Sequence, residues 1–396
     1  MIKIGSTTLY KHQEEAVKKM VNGCCLCGGV GTGKSITSYA FYLRNYISRP
    51  LYVITTAKKR NTDEWLEDYY SLNGDYTFRH KPIIDSWNNI EKYVNVDGAF
   101  FIFDEQKAIG NGKWGKTFVK IAKKNKWVIL TATPGDNWLD YMNFFIANGI
   151  YKNKTDFYRQ HVVLSPFYNF PKVDKYIFTE KLIFYRDKLL VNMYYNKPAE
   201  RVEKVINVDF DKEEYEMAYK YRKAADRQPI KNASELCYRL REIVNADPSR
   251  VAAVRQIMTE HDRAIIFYNF DYELDILVNE FSNSEFAIGQ YNGHRHDDIP
   301  DTEKWLYFVQ YAAGSEGWNC IITNCIIFYS QSYSYKQTEQ AMGRIDRLNT
   351  PYKNLYYYIL KSRSGIDSAI RRCLNMKKDF NARNEKNMFS IGRMQR

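Results

Sequence analysis

The stretch GGVGTGKS at 28–35 has the spacing G-x-x-x-x-G-K-[ST], set between an apolar run, GCCLCGG, and an amphipathic one, KSITSYAFYLRNYI. That pattern can grip a triphosphate. Gly28, Gly31 and Gly33 let the backbone turn until the N–H groups of Val30, Gly31, Thr32, Gly33 and Lys34 surround phosphate oxygens. The N-terminus of the following helix adds positive potential. Lys34 is placed to reach the β- and γ-phosphates, and the Ser35 hydroxyl to ligate Mg²⁺. FIFDEQK at 101–107 supplies the complement. Asp104, at the end of an apolar run, suits a hydrated Mg²⁺, and Glu105 beside it can take a proton from an attacking water. ATP and Mg²⁺ are therefore the expected cofactors.

Two further stretches carry polar groups of the right chemistry. In LYKHQ at 9–13, the Gln13 amide offers a donor and an acceptor, the complement of adenine N6 and N7. The same residue at a helix start would ordinarily face solvent. QAMGRIDR, from Gln340 to Arg347, falls in a predicted helix, where residues three apart share a face, so Arg344 and Arg347 are expected to project together. Gly343 weakens a helix unless close packing requires it. Arginines brought to a γ-phosphate held elsewhere neutralise charge that develops during transfer, which makes hydrolysis conditional on two bodies closing.

The elements that must position these groups are legible as alternating apolar strands and amphipathic helices. PLYVITT, AFFIFDE and WVILTATP read as strands buried on both faces, hence a parallel sheet with crossover helices. Ligands bind such sheets at the carboxyl ends of the strands, where the polar endings of these runs converge. Residues 136–260 read as mainly helical, including YRDKLLVNMYY, with INVDFD at 206–211 as a strand-like interruption. Sheet pattern resumes in RAIIFYNF, WLYFVQY, CIIFYS and NLYYYIL, with YELDILVNEF and YKQTEQAMGRIDRL as helices among them. The boundary between the two α/β lobes is placed near residue 200.

Composition sets the outer bounds. The chain has 396 residues, 45% of them hydrophobic, and no apolar run long enough for a membrane helix or a secretion signal, so a cytoplasmic protein is expected. Its formal charge of +12 is concentrated late, with thirteen basic and four acidic side chains in 342–396. A basic surface attracts polyanions, nucleic acid first among them. Of the seven cysteines, CCLC at 24–27 lacks a second cluster at zinc spacing and reads as small buried hydrophobes. NGHRH at 292–296 reads as a polar turn.

With LYKHQ, GGVGTGKS, DEQK, TATP at 131–134, GSEGWN at 314–319 and QAMGRIDR in order along nearly the whole chain, the sequence resembles the superfamily 2 helicases and translocases. RAIIFYNFDYELDIL and IIFYSQSYSYKQTEQAMGRIDRLNTP look most like the Swi/Snf-type branch, particularly its compact phage and prophage members. The resemblance implies two tandem RecA-like lobes with parallel sheets, 1–200 and 201–396, plus a helical insertion between them. It implies that Thr131 and Thr133 couple the nucleotide site to the strand-binding face. Thr55, Thr56, Lys58, Lys59 and Ser86 fall in first-lobe segments that contact the sugar-phosphate backbone. Asn269, Ser315, Gly317 and Asn319 fall where the family places backbone contacts or the nucleotide site, and Gln340 joins the nucleotide site. Lys107 stands where many relatives have His or Asp. Trp318 beside the phosphate-contact position either stacks on a base or packs in a core.

The expected activity is an ATP-dependent DNA translocase or helicase, sequence-independent, acting in phage DNA replication or recombination. Two alternatives stay open: an ATP-gated nucleic-acid clamp or loader that recruits a partner such as a single-strand-binding protein through its basic tail, and an RNA helicase. Recognition of the 2′-hydroxyl is not legible in these residues.

Overall fold

A computed structural model describes residues 3–4, 7–29, 31–72, 81–105, 112–167, 171–194, 199–223, 228–314, 320–347 and 350–377. These fall into two compact units, the first reaching to Asn196 and the second spanning Lys197–Lys378. In the first lobe the apolar runs become β1 (Cys25–Gly28), β2 (Leu51–Thr55), β3 (Ile83–Ser86), β4 (Phe100–Asp104), β5 (Lys126–Thr131) and β6 (Leu190–Met193). They form one sheet in the order β6-β1-β5-β4-β2-β3, and every pairing is parallel. Alternation across the pleat explains why whole strands are apolar. On β4, Phe101 and Phe103 enter the core on one face while Phe100 and Ile102 enter the core on the other. Burying such a side chain stabilises the lobe by about 1.5–3 kcal/mol.

The second lobe repeats the plan with β7 (Glu200–Val208), β8 (Arg263–Tyr268), β9 (Ala287–Tyr291), β10 (Trp305–Gln310), β11 (Cys325–Phe328) and β12 (Asn354–Ser362). The order is β7-β12-β11-β8-β10-β9, again parallel throughout. Ile265 and Phe267 of β8 face one core, and Ala264, Ile266 and Tyr268 the other. The expected α/β fold of two parallel-sheet lobes is what the chain forms. Among the described residues no helix is long and apolar enough to cross a membrane.

Several local expectations are corrected. The helix expected across YRDKLLVNMYY stops at Leu189, and Leu190–Met193 pairs with β1 as the edge of the first sheet. Ile206–Val208 of INVDFD closes a nine-residue strand, β7, that opens the second sheet, and residues 209–211 lie beyond it. Ile83–Ser86 and Ala287–Tyr291 are edge strands too short and too polar to read as buried runs. The helix expected through Leu348 covers only Tyr335–Met342. Its cap is Gly343, whose N–H returns to the Glu339 carbonyl at 3.0 Å. A glycine costs a helix interior about 1 kcal/mol relative to alanine, so the segment ends there. Arg344 and Arg347 therefore lie beyond the helix, not on one helical face.

In CCLC, Cys24 and Cys25 are buried in opposite cores, Cys27 is half-buried, and burial pushes the Cys24 thiol up to about 12. NGHRH is a turn in which Asn292 Oδ1 accepts the N–H groups of His294 and Arg295, each at 2.9 Å.

The second lobe is pinned by a charge pair inside it. The Arg250 guanidinium, fully buried, donates to Asp367 at 2.8 Å and to the Val244, Tyr329 and Leu360 carbonyls. Asp367 also accepts from Ser362 N and Oγ at 2.7 and 2.8 Å. Asp367→Ala strands the guanidinium in a dry site, and chemical denaturation is expected to show a loss of about 3–5 kcal/mol.

Candidate active site on the first lobe

Strand order decides what meets what. β1, β5, β4 and β2 are consecutive neighbours, so Gly28, Thr131, Asp104 and Thr55 end side by side on one rim. The loop after β1 turns into helix α1 (Lys34–Asn45) through Gly31 and Gly33, both at positive φ of 81° and 76°. At Gly28 a Cβ would lie 2.7 Å from Thr32 Oγ1, so a side chain there would push the loop open. Lys34 Nζ donates to the Gly28 and Gly29 carbonyls at 2.8 and 2.9 Å. Burial draws this ammonium down to about 8, with Glu105 and Asp104 opposing the fall and Lys59 adding to it. Lys34 thus lies in the field of Glu105 and Asp104.

Asp104 is buried at the end of β4 and is held from three sides. Its Oδ2 accepts from Thr55 Oγ1 at 2.7 Å and from Lys59 Nζ at 2.9 Å, and its carbonyl accepts from Trp87 Nε1 at 2.9 Å. Burial alone would lower the Lys59 ammonium, but Asp104 and Glu105 hold it above the ordinary lysine value. Glu105 follows with φ at 57°, left-handed backbone that costs a non-glycine residue about 1–3 kcal/mol and clusters at functional sites.

These contacts revise part of the nucleic-acid set. Thr55 is fully buried and Ser86 nearly so, and a strand outside the lobe cannot touch such side chains. Thr55 serves Asp104 instead. Thr56 caps a short helix through its contact with Lys59 N at 3.4 Å. Lys58 is exposed, whereas Lys59 is turned in to Asp104.

Gln13 does not face solvent as a helix-start glutamine ordinarily would. It is buried, its Oε1 accepting Tyr10 N–H at 2.9 Å and its Nε2 donating to the Thr32 carbonyl at 3.4 Å. An amide oxygen accepts twice and an NH₂ donates twice, so one lone pair and one hydrogen are left for a base. His12, which the sequence reading passed over, also meets the Thr32 carbonyl, at 3.1 Å. Thr131 Oγ1 donates to the Thr133 carbonyl at 3.0 Å and accepts Thr133 N–H at 3.1 Å, a closed turn at the rim. Ser35 gives its hydroxyl to Asp68, whose carboxyl burial and Glu64 raise to about 6.

The oxygen donors fit Mg²⁺, which takes one or two protein ligands and keeps waters. Asp104 already holds a cationic ammonium, so the position tolerates positive charge, and Ser35 adds a hydroxyl anchored by Asp68.

In the second lobe Gln340 and Arg344 are buried, while Arg347 is half-buried. Arg344 is engaged through its backbone, its N–H on the Ala341 carbonyl and its carbonyl under Cys320 N–H, both at 3.0 Å. Asn269 is half-buried at the end of β8, donating to Ser330 Oγ at 2.8 Å. Beneath it the fully buried Glu273 accepts from Asn269 N, Ser330 Oγ and Asn245 Nδ2. Val30, Gln106, Lys107, Ser315, Gly317, Trp318 and Asn319 lie outside the described residues.

No protein-family model and no curated protein matches the chain. Among solved structures it is similar to the SWI2/SNF2 ATPase core of Sulfolobus solfataricus in complex with dsDNA, at 15% identity and a TM-score of 0.43, over 96% of this chain and 93% of that one.

Proposed function

We propose that this chain hydrolyses ATP and couples the hydrolysis to movement along DNA. The observation that carries the reading is the rim of the first sheet. There a phosphate-binding loop and its lysine follow β1, and a buried aspartate and a strained glutamate end β4, with only β5 between them, in one electrostatic field. Lys34 leaves the Gly28 and Gly29 carbonyls for phosphate oxygens, and Gln13 faces the base. Asp104 and Ser35 would hold a Mg²⁺ ion, which neutralises charge on the transferring phosphoryl group. Glu105 orients water and takes its proton. Arg347 from the second lobe completes the centre, so turnover requires the lobes to approach and product release lets them part. The motif order, the resemblance drawn from it and the charge of +12 support nucleic acid as the track. Displacement of a triplex-forming strand from duplex DNA tests the motion. ATP-dependent displacement is expected, and hydrolysis without displacement would make the chain a clamp. Competition between DNA and RNA decides the track.

Binding should report the state of Lys34. Its folded pKa of about 8 lies below the ordinary lysine value, so between the two the unfolded chain binds more protons and stability rises with pH. Phosphate favours the charged form, so nucleotide binding takes up a proton in that window. Affinity for a fluorescent ATP analogue should be flat below about pH 8 and fall above it, approaching about tenfold per pH unit. Lys34→Arg should flatten the profile, because guanidinium does not titrate there.

A further inference from the structure

Asp104 carries an ammonium of its own. Lys59 Nζ and Thr55 Oγ1 both donate to its Oδ2, at 2.9 and 2.7 Å, and Trp87 Nε1 donates to its carbonyl at 2.9 Å. The donors come from the short helix Ala57–Arg60, the end of β2 and the 3₁₀ turn Trp87–Tyr93. Among the described residues no donor meets Oδ1, so one oxygen is taken and the other is left for a ligand. Lys59 is fixed along its backbone as well, its N–H on Thr56 Oγ1 at 3.4 Å and its carbonyl under Thr62 Oγ1 at 3.0 Å. Its side chain is 29% exposed and that of Asp104 4%, so water screens the pair little.

A carboxylate that already carries an ammonium is a poor ligand for a second cation, because like charges on one carboxylate repel, most of all where water is scarce. The same ammonium attracts an anion. Lys59 is also shared among several acids: it lies in the field of Asp104, Glu105 and Glu64, and it acts in turn on Asp68. Lys34 adds a second positive charge from the loop carbonyls. Taking the Lys59 charge away leaves a cluster richer in carboxylate, the composition that takes a bare divalent ion. We propose that Lys59 makes this site selective for a divalent ion already bound to a polyphosphate: it opposes the free cation and favours the anionic metal–nucleotide complex. This rests on the nucleotide reading above and deepens it, since metal and triphosphate then enter together and the metal does not load first.

The test uses the full chain and Mn²⁺, whose paramagnetic resonance signal reports the free ion. Titrations are run with the ion alone and with its complex with the imido analogue of ATP. Lys59→Gln keeps a donor for Asp104 and removes the charge. It should bind bare Mn²⁺ on the order of tenfold more tightly than wild type, and the Mn²⁺–analogue complex no more tightly than wild type or more weakly. A folding defect cannot move the two affinities in opposite directions. Lys59→Arg keeps the charge and should match wild type in both titrations. Lys59→Met gives a second readout: Mn²⁺ without nucleotide should raise its melting temperature more than that of wild type. Bare-ion affinity unchanged or lowered in Lys59→Gln overturns the proposal, and so does an equal gain for the ion and the complex. If wild type does not bind the Mn²⁺–analogue complex, the nucleotide reading itself falls. If wild type binds it and Lys59→Gln shows no opposed shift, that reading stands and only the selectivity fails.

Discussion

Lys34→Ala is expected to fold normally and to lose nucleotide-dependent turnover. The wild-type ammonium is half-buried on two loop carbonyls, and burial already lowers its pKa to about 8. A cation in that state gives little stability, so its removal should shift unfolding by no more than about 1 kcal/mol. What disappears is the charge-assisted contact with the phosphates. A hydrogen bond to a charged partner contributes about 1.5–3 kcal/mol, so ATP affinity should drop by roughly one to two orders of magnitude. The loss in turnover should be larger, because the ammonium also meets charge that develops only during transfer. Isothermal titration beside a phosphate-release assay separates the two. Normal turnover in the variant would remove the phosphate-loop assignment.

Arg347→Ala should behave in the opposite way, with affinity kept and hydrolysis lost. On the proposed reading the loop of the first lobe grips the triphosphate, and this change does not touch it. A finger arginine acts on the transition state alone and contributes on the order of 10³-fold or more to the rate. Arg347→Lys should recover only a small part, since an ammonium lacks the planar fork of donors. Arg344 provides the contrast. It is buried, so Arg344→Ala removes packed side-chain atoms and is expected to lower the melting temperature along with activity. Equal loss of binding and turnover in Arg347→Ala would make that arginine structural too.

What the sequence made legible follows from how local each signal is. The phosphate loop and β4 were readable because their information is contiguous: glycines at fixed spacing, and an apolar run ended by two carboxylates. The partners of Asp104 were not, since Thr55 and Lys59 lie 49 and 45 residues away and meet it only because β2 neighbours β4. Parallel crossovers leave strand order open, so a motif resembling a backbone-contact segment gave no warning that two of its residues turn inward. The burial of Gln13 was hidden for the same reason, because it depends on the Thr32 carbonyl across the loop. At Leu190–Met193 an apolar run directly after a helix fits either a further turn or a buried strand, and only the open edge of β1 decides. At Gly343 the helical pattern continued in the side chains while the backbone ended. The positions that sequence misplaced are thus settled by tertiary neighbours, and most cluster at the two rims where function is proposed.

The central claim is that nucleic acid governs fuel consumption. Steady-state phosphate release should be measured with wild-type protein and saturating ATP, alone, with single-stranded DNA and with duplex DNA. A rise in rate with at least one form, abolished by Lys34→Ala, is the predicted result. A rate that neither form of DNA changes would contradict the account.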